Sequence, residues 1–271
     1  MNKPKNDRKG QHYLPAVYFR GFCDESGKLH LYDFVKKEFR SNIKPEEVAK
    51  KNHIYTITHN GVKDYYIENF FSEIETQYGA LITRIENSRI EQLTENDLEE
   101  IIWFISFLYA RNLSKIKMFS EELQKSLSFM GNNLLNYNLQ QQGEEYLRPF
   151  ILIEPNKNYV QKWAIYTMYI VAERMFNLLI NEGKWFFYLA QETSEFITTD
   201  DPMENMVMIP LSKKFLFMRV TEQIDRIDKR ILYVAPDWVN YINCKIASSA
   251  KRFIFASSKE IIKKDYLSKK A

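Results

Sequence analysis

The longest regular alternation of apolar and polar positions lies in the middle of the chain. From Asp64 to Arg89, apolar residues recur at Ile67, Phe70, Phe71, Ile74, Tyr78, Leu81, Ile82 and Ile85. That three- and four-residue spacing predicts a helix with one buried stripe. Thr94 with Asp97 resembles a capping box, Asp standing where Glu is usual, and predicts a second helix from Leu98 to about Asn138, continuous or broken at Gly131. Gln140 to Glu145 is polar enough for a connecting loop, and Asn156 to Glu182, following Pro155, predicts a further helix. Residues 64–182 therefore read as a helical midsection of long antiparallel helices.

The period shortens on either side of this midsection. Lys28 to Asp33 alternates as a strand after the turn Glu25-Ser26-Gly27, Lys36 to Ser41 can pair back on it, and Ile54 to Ile57 is a third short strand. A helix is predicted from near Pro45 to before Asn52. Beyond the midsection, Trp185–Ala190, Glu195–Thr198, Met206–Pro210 and Phe215–Val220 are short β-rich runs that suit an antiparallel sheet. Pro236 opens a last amphipathic helix through Phe253. The expected fold class is α+β in one domain over 1–271. It comprises a flexible start (1–11), an opening α/β segment (12–58), the helical midsection, a β-rich segment with its C-terminal helix (184–255), and a basic tail (256–271) carrying Lys263, Lys264, Lys269 and Lys270. No repeat of fixed period is visible.

Composition narrows the class. With 45% hydrophobic and 15% aromatic residues, the chain can bury a large core and lacks the make-up of a disordered protein. Cys23 and Cys244 lie far apart with no metal-ligand spacing, and the first residues hold no apolar run resembling a signal peptide, so the expected compartment is the cytoplasm. No apolar run reaches the ~18 residues of a membrane span. A net charge of +3 from 38 basic and 35 acidic residues is too balanced to argue for a nucleic-acid partner by itself.

Two segments crowd polar groups against aromatic ones: His12 to Phe22, and Phe196-Ile197-Thr198-Thr199-Asp200-Asp201-Pro202. Such groups sit at the edge of a core, as structural pins or as a site. His12 has the ordinary pKa for proton transfer, and with Arg20 and a carboxylate it would supply an acid/base and an anion holder. Glu68 and Glu75 are seven residues apart on one helix face, ~10.5 Å along the axis, too far to share one metal ion easily. Arg111 follows the apolar run Ile101–Ala110 and needs a carboxylate such as Glu75 or Asp200, either as a helix-locking ion pair or as part of a site. Asp200 and Asp201 end a strand, where acidic metal ligands occur in nucleases, so a divalent metal is the candidate cofactor; alternatively, Thr198, Thr199 and Asp200 bond backbone amides in a turn. The Asp and Asp/Glu-x-Lys pattern of restriction nucleases fails, because no acid stands two positions before Lys213 or Lys214. His30, His53 and His59 share no ligand spacing. The aromatic run Trp185 to Tyr188 and Trp163 read mainly as core, with Lys184 beside Trp185 the one hint of a stacking platform.

These residues also carry a resemblance. His12, Pro15, Tyr18, Arg20 and Phe22; Leu31-Tyr32-Asp33; Ile67-Glu68 and Ile74-Glu75; Arg111; and Phe196 to Pro202 followed by Pro210-Leu211-Ser212 look like the prokaryotic domain-of-unknown-function family numbered 4238, DUF4238. The likeness covers nearly the whole chain. Thr199 and Asp201 stand where that family usually has Ser and Asn, which keeps a hydroxyl and adds a negative charge. Some members sit among bacterial or prophage anti-virus genes, so the resemblance implies a defence effector.

There is no P-loop, GxGxxG, GxSxG elbow or HExxH. Two functions of different class follow. In the first, His12, Arg20, Glu75, Arg111 and Asp200 are the catalytic set of a nuclease or other phosphodiester hydrolase acting on nucleic acid, with Tyr18, Glu68, Thr198, Thr199 and Asp201 binding beside them. In the second, the same residues are the polar scaffold of a non-enzymatic sensor or interaction domain.

Overall fold

The computed structural model describes residues 10–52, 54–55, 57–59, 62–64, 66–87, 93–112, 115, 117–118, 121, 125, 157–181, 184–191, 193–203, 208–220 and 231–267. It is α+β. The elements are β1 (Gly10–His12), α1 (Ala16–Arg20), β2 (Leu29–Asp33), β3 (Glu38–Ile43), a 3-10 turn at Pro45–Glu47, β4 (Lys50–Asn52), β5 (Ile57–His59), β6 (Val62–Asp64), α2 (Tyr66–Asn87), α3 (Glu95–Arg111), α4 (Lys157–Asn181), β7 (Lys184–Ala190), β8 (Thr198–Thr199), β9 (Met208–Pro210), β10 (Phe215–Val220), β11 (Ile231–Val234), α5 (Pro236–Ser249), β12 (Phe253–Ala256) and α6 (Lys264–Leu267).

The strands form two four-stranded sheets, ordered β3-β2-β12-β8 and β11-β7-β10-β9, and two small pairs, β1-β4 and β5-β6. The first sheet joins the two ends of the chain. β12 runs antiparallel to β2 on one side and to β8 on the other, matching Phe255 with Leu31 and with Thr198. The predicted hairpin of β2 with β3 is present. In the second sheet β7, β10 and β9 pair antiparallel, but β11 joins β7 in parallel, an addition that short-range patterning does not reveal.

One apolar cluster gathers residues from α1, β2, α2, α3, α4 and the second sheet, including Tyr18, Phe19, Leu31, Phe71, Ile105 and Phe217. A second, around α5, holds Phe196, Ile197, Val239, Ile246, Ile254 and Tyr266. Trp185 is buried and stacks on Phe217 with centroids 4.4 Å apart, which removes it as an exposed platform for nucleic-acid bases. Trp163's side chain lies outside the described residues.

Several boundaries depart from the sequence expectation for local reasons. The helix expected from Pro45 shrinks to one 3-10 turn, because Val48 is extended and Ala49 has φ of 51°, freeing Lys50–Asn52 to pair with β1. The expected strand Ile54–Ile57 is met only at its end: Ile54 and Tyr55 are bends, the Tyr55 amide donating to the Gln11 side chain, Thr56 lies outside the described residues, and Ile57 begins β5. Of the flexible start expected over residues 1–11, Gly10 and Gln11 belong to β1, with Gln11 buried, and residues 1–9 lie outside the described residues. The capping box of Thr94 and Asp97 is formed as expected, but α3 stops at Arg111, where Asn112 turns extended. Gly131 and Gln140–Glu145 lie outside the described residues. Phe253 belongs to β12 rather than to the last helix, and Ile262 and Tyr266 of the supposed tail are buried under α5.

Close approach of α1 fixes the site region. A Cβ on Gly79 of α2 would lie 2.9 Å from Val17 Cγ2, and one on Gly21 would lie 2.9 Å from Ser212 Cβ. The Gly21 carbonyl accepts from the Lys213 amide at 2.7 Å. The His12–Phe22 segment is thereby wedged between α2 and the turn before β10.

Candidate functional site

Residues 11–13 run between α2, the end of α3 and the loop that follows β8. Gln11 uses both ends of its amide: Oε1 accepts from the Tyr55 amide at 2.6 Å, and Nε2 donates to Glu68 Oε2 at 2.8 Å. Glu68 is thus held by a buried amide. One residue on, Arg111 Nη2 donates to the His12 carbonyl at 2.6 Å and Nη1 donates to Glu75 Oε1 at 2.7 Å. Its Nε reaches the Tyr55 hydroxyl at 3.4 Å, and its Cζ lies 4.2 Å above the Phe71 ring. Burial works against this cation, but Tyr55 and Glu75 beside it outweigh that and raise its pKa, so it stays charged. Every edge of the guanidinium faces inward. Arg111 pairs with Glu75, as one sequence reading had it, and it does so as a buried clamp.

The His12 ring points to the other components of the opening segment. Nε2 lies 3.3 Å from the Glu46 carbonyl, which can only accept, so Nε2 carries the proton. Burial lowers the pKa, Lys50 and Arg111 push it further down, and Glu75 with the Glu46 carbonyl acts the other way. The imidazole is neutral near pH 7, with its lone pair on Nδ1. Glu46 also holds Arg20, whose Nη2 donates to Oε1 at 2.9 Å from a guanidinium side chain 63% exposed. His12 and Arg20 therefore meet on one residue of the 3-10 turn.

A base whose folded pKa is depressed imposes no cost above its unfolded value of 6.5 and an increasing cost as pH falls from there to the folded value. Urea unfolding of the protein should accordingly show stability declining as pH falls through and below 6.5, and His12→Gln should flatten part of that slope. Equal slopes in the two proteins would contradict the assigned neutral state.

Asp200 sits elsewhere. Its Oδ1 accepts from the backbone amides of Lys251, Arg252 and Phe253 at 3.0, 3.1 and 3.2 Å, and Oδ2 accepts from Arg252 again at 3.0 Å. This carboxylate caps the start of β12, and its bonded partners are those backbone amides rather than the His12 ring. Asp201 is buried, accepts from the Asn112 side chain, has its own amide on Thr199 Oγ1 at 3.2 Å, and has Lys251 Nζ at 3.9 Å. Tyr18 and Thr198 are fully buried and bonded to each other at 2.6 Å, the Tyr18 hydroxyl donating onward to the Pro210 carbonyl. Thr199 is equally buried. Of the turn expected over Thr198, Thr199 and Asp200, only the Thr199 hydroxyl bonds a local amide, that of Asp201; the Thr198 hydroxyl meets Tyr18, and Asp200 takes amides of residues 251–253.

Sequence reasoning missed Tyr13. Its phenol, largely buried, lies in the field of Asp200 and Asp201 on one hand and Arg252 on the other; burial first and these acids second push it up to about 12. It also missed the fork of Arg252 on Asp33, with Nε to Oδ1 at 3.1 Å and Nη2 to Oδ2 at 2.8 Å. Glu46, Asn112 and Tyr55 were likewise unflagged, though Asn112 directly follows the arginine that was flagged.

Among the described residues, no group of three or more His, Cys, Asp or Glu side chains could hold a metal ion. The donor chemistry explains why: Glu68, Glu75, Asp200 and Asp201 each already accept from an amide or a guanidinium. Comparison with known proteins adds the ancestry. Residues 10–260 match the family described as "Protein of unknown function (DUF4238)". The chain belongs to that family. No curated protein and no solved structure matches it. Every residue that carried the DUF4238 resemblance lies inside the matched span, from His12 through Ser212. Among the described residues, no helix is long and apolar enough to cross a membrane.

Proposed function

We propose that this DUF4238 chain is a non-enzymatic recognition domain that holds a phosphate-type anion on the rim formed by Arg20 and His12. One observation carries the reading: of the charged groups singled out from the sequence, Arg20 alone combines an exposed guanidinium with a single engaged nitrogen, while Arg111 and Asp200 are bonded on all sides from within. Nη1 and Nε of Arg20 remain for a ligand, and Lys50 adds positive charge near His12. The setting we assign is antiviral defence, which the family resemblance suggests, in the cytoplasm, which the unpaired spacing of Cys23 and Cys244 suits.

Titration calorimetry with inorganic phosphate and with a short RNA oligonucleotide tests this. The expected result is binding that Arg20→Gln weakens about tenfold, the loss of one charge-assisted bond, with an unchanged melting temperature. Equal affinity in the variant would overturn the assignment.

The second reading, phosphodiester cleavage, has its own support in the neutral His12 with its Nδ1 lone pair, a suitable base for a ribose hydroxyl. The carboxylate named beside it for this role, Glu75, is bound to Arg111. Incubating the protein with total RNA and plasmid, with and without divalent metal, separates the two. Products that vanish in His12→Gln would establish cleavage, and intact substrates would leave recognition.

A further inference from the structure

A groove of about 590 Å³ opens between α1 and α2, beside the rim just described. Its walls are Val17, Gly79, Ala80 and Ile82, and Arg20 and Arg84 stand at its edges. The volume falls in the range of small-ligand sites, about 300–1,000 Å³. The absence of a side chain on Gly79 lets α1 approach α2 through Val17, and the groove beside that contact is walled by aliphatic side chains.

The lining decides among ligands. It holds no aromatic ring, so nucleobases have nothing to stack on. What it presents is aliphatic surface bounded by guanidinium groups. The two arginines differ. Arg84 gives Nη2 to Asp97 and has Glu100 at 3.8 Å, two carboxylates on one group, whereas Arg20 faces Glu46 alone. An anionic head therefore favours Arg20, with the rest of the molecule extending along the groove toward Arg84.

We propose that the α1–α2 groove binds a small amphiphilic anion, an unbranched aliphatic chain ending in a phosphate or carboxylate, with the head on Arg20 and the chain over Val17, Ala80 and Ile82. This rests on the reading of Arg20 as an anion holder and names the class of ligand that the same site takes. Each methylene moved out of water contributes favourably, so the chain should add affinity that a bare anion cannot have.

Calorimetry with decyl phosphate, decanoate and inorganic phosphate, all below the micellar concentration, tests it. Decyl phosphate should bind at least tenfold more tightly than inorganic phosphate, about 1.4 kcal/mol. Comparing it with decanoate reports whether the head is read as phosphate or as any anion. Ala80 is exposed, so Ala80→Phe fills the groove from the solvent side and should abolish the advantage of the alkyl chain while leaving inorganic phosphate bound. Thr83→Trp, from another exposed lining position, is the second variant should the first lower the melting temperature. Arg20→Gln should weaken all three ligands, and Arg84→Gln should change them less than threefold. If decyl phosphate binds no better than inorganic phosphate, or keeps its advantage in both groove-filling variants, the groove proposal is overturned and the anion rim stands. If no ligand binds at all, the rim falls with it.

Discussion

Replacing Arg111 by methionine is expected to destabilise the protein by about 3–5 kcal/mol, the usual cost of removing one partner from a buried ion pair. The guanidinium is 5% exposed and satisfies three acceptors at once: Glu75, the His12 carbonyl and the Tyr55 hydroxyl. Without it, Glu75 loses its cation and the His12 carbonyl loses a hydrogen bond. The double substitution Arg111→Met with Glu75→Leu should recover much of the loss, because a buried pair replaced by apolar groups of similar volume is often neutral or better. Urea denaturation of the wild type and both variants checks this. A single variant within about 1 kcal/mol of wild type would mean that the clamp contributes little to the fold, and the structural reading of Arg111 would fail.

The clamp also bears on recognition, since its effect reaches the rim only through the backbone at residue 12. His12 is positioned from two directions: Arg111 pulls on its carbonyl from the α3 side while Glu46 receives its ring nitrogen from the 3-10 turn. Loosening the first should leave Arg20 on Glu46 while blurring the placement of the imidazole. The proposed anion holding by Arg20 and the alternative proton transfer by His12 can thus be separated in variants.

What could be read in the chain beforehand followed the range of the interactions. The Thr94–Asp97 cap involves residues three apart, and its two reciprocal bonds are a local property. The α2 stripe was equally visible, because Phe71, Ile74, Tyr78, Leu81, Ile82 and Ile85 are all buried on one face. The 3-10 turn in place of a helix was not visible, because β4 is defined by β1, forty residues earlier. The site was half legible. The two chain ends do converge on α2 and α3, through β8, β12 and residues 11–13, and the pairing of Arg111 with Glu75 was named as an option. The common pocket for His12 and Asp200 does not follow from that convergence, for a geometric reason. Strand β1 ends at His12 and the chain bends at Tyr13. The His12 ring is thus turned to Glu46 and Lys50, while its neighbour Tyr13 takes the side facing Asp200, Asp201 and Arg252. Nothing in residue identity distinguishes a His12-facing Asp200 from a Tyr13-facing one.

Asp200→Ala is the second large effect expected, about 2–4 kcal/mol of stability. Three amides lose the carboxylate, and the exposed Lys251 amide can turn to water in its place. These amides open β12, the strand that ties β2 to β8 and thereby one end of the chain to the other, so their loss is not confined to a surface turn. Asp200→Asn should cost about half as much, since one oxygen still accepts while the new NH2 group faces the Arg252 amide, a donor against a donor. Thermal and urea unfolding give the stability, and phosphate titration of the still-folded variant at low temperature gives the function. Preserved binding alongside the lower melting temperature is the outcome that a scaffold role demands. A variant that melts like wild type yet no longer binds phosphate, or no longer degrades RNA, would place this carboxylate in the working site after all, and the assignment of the site to the Arg20–His12 rim alone would have to be abandoned.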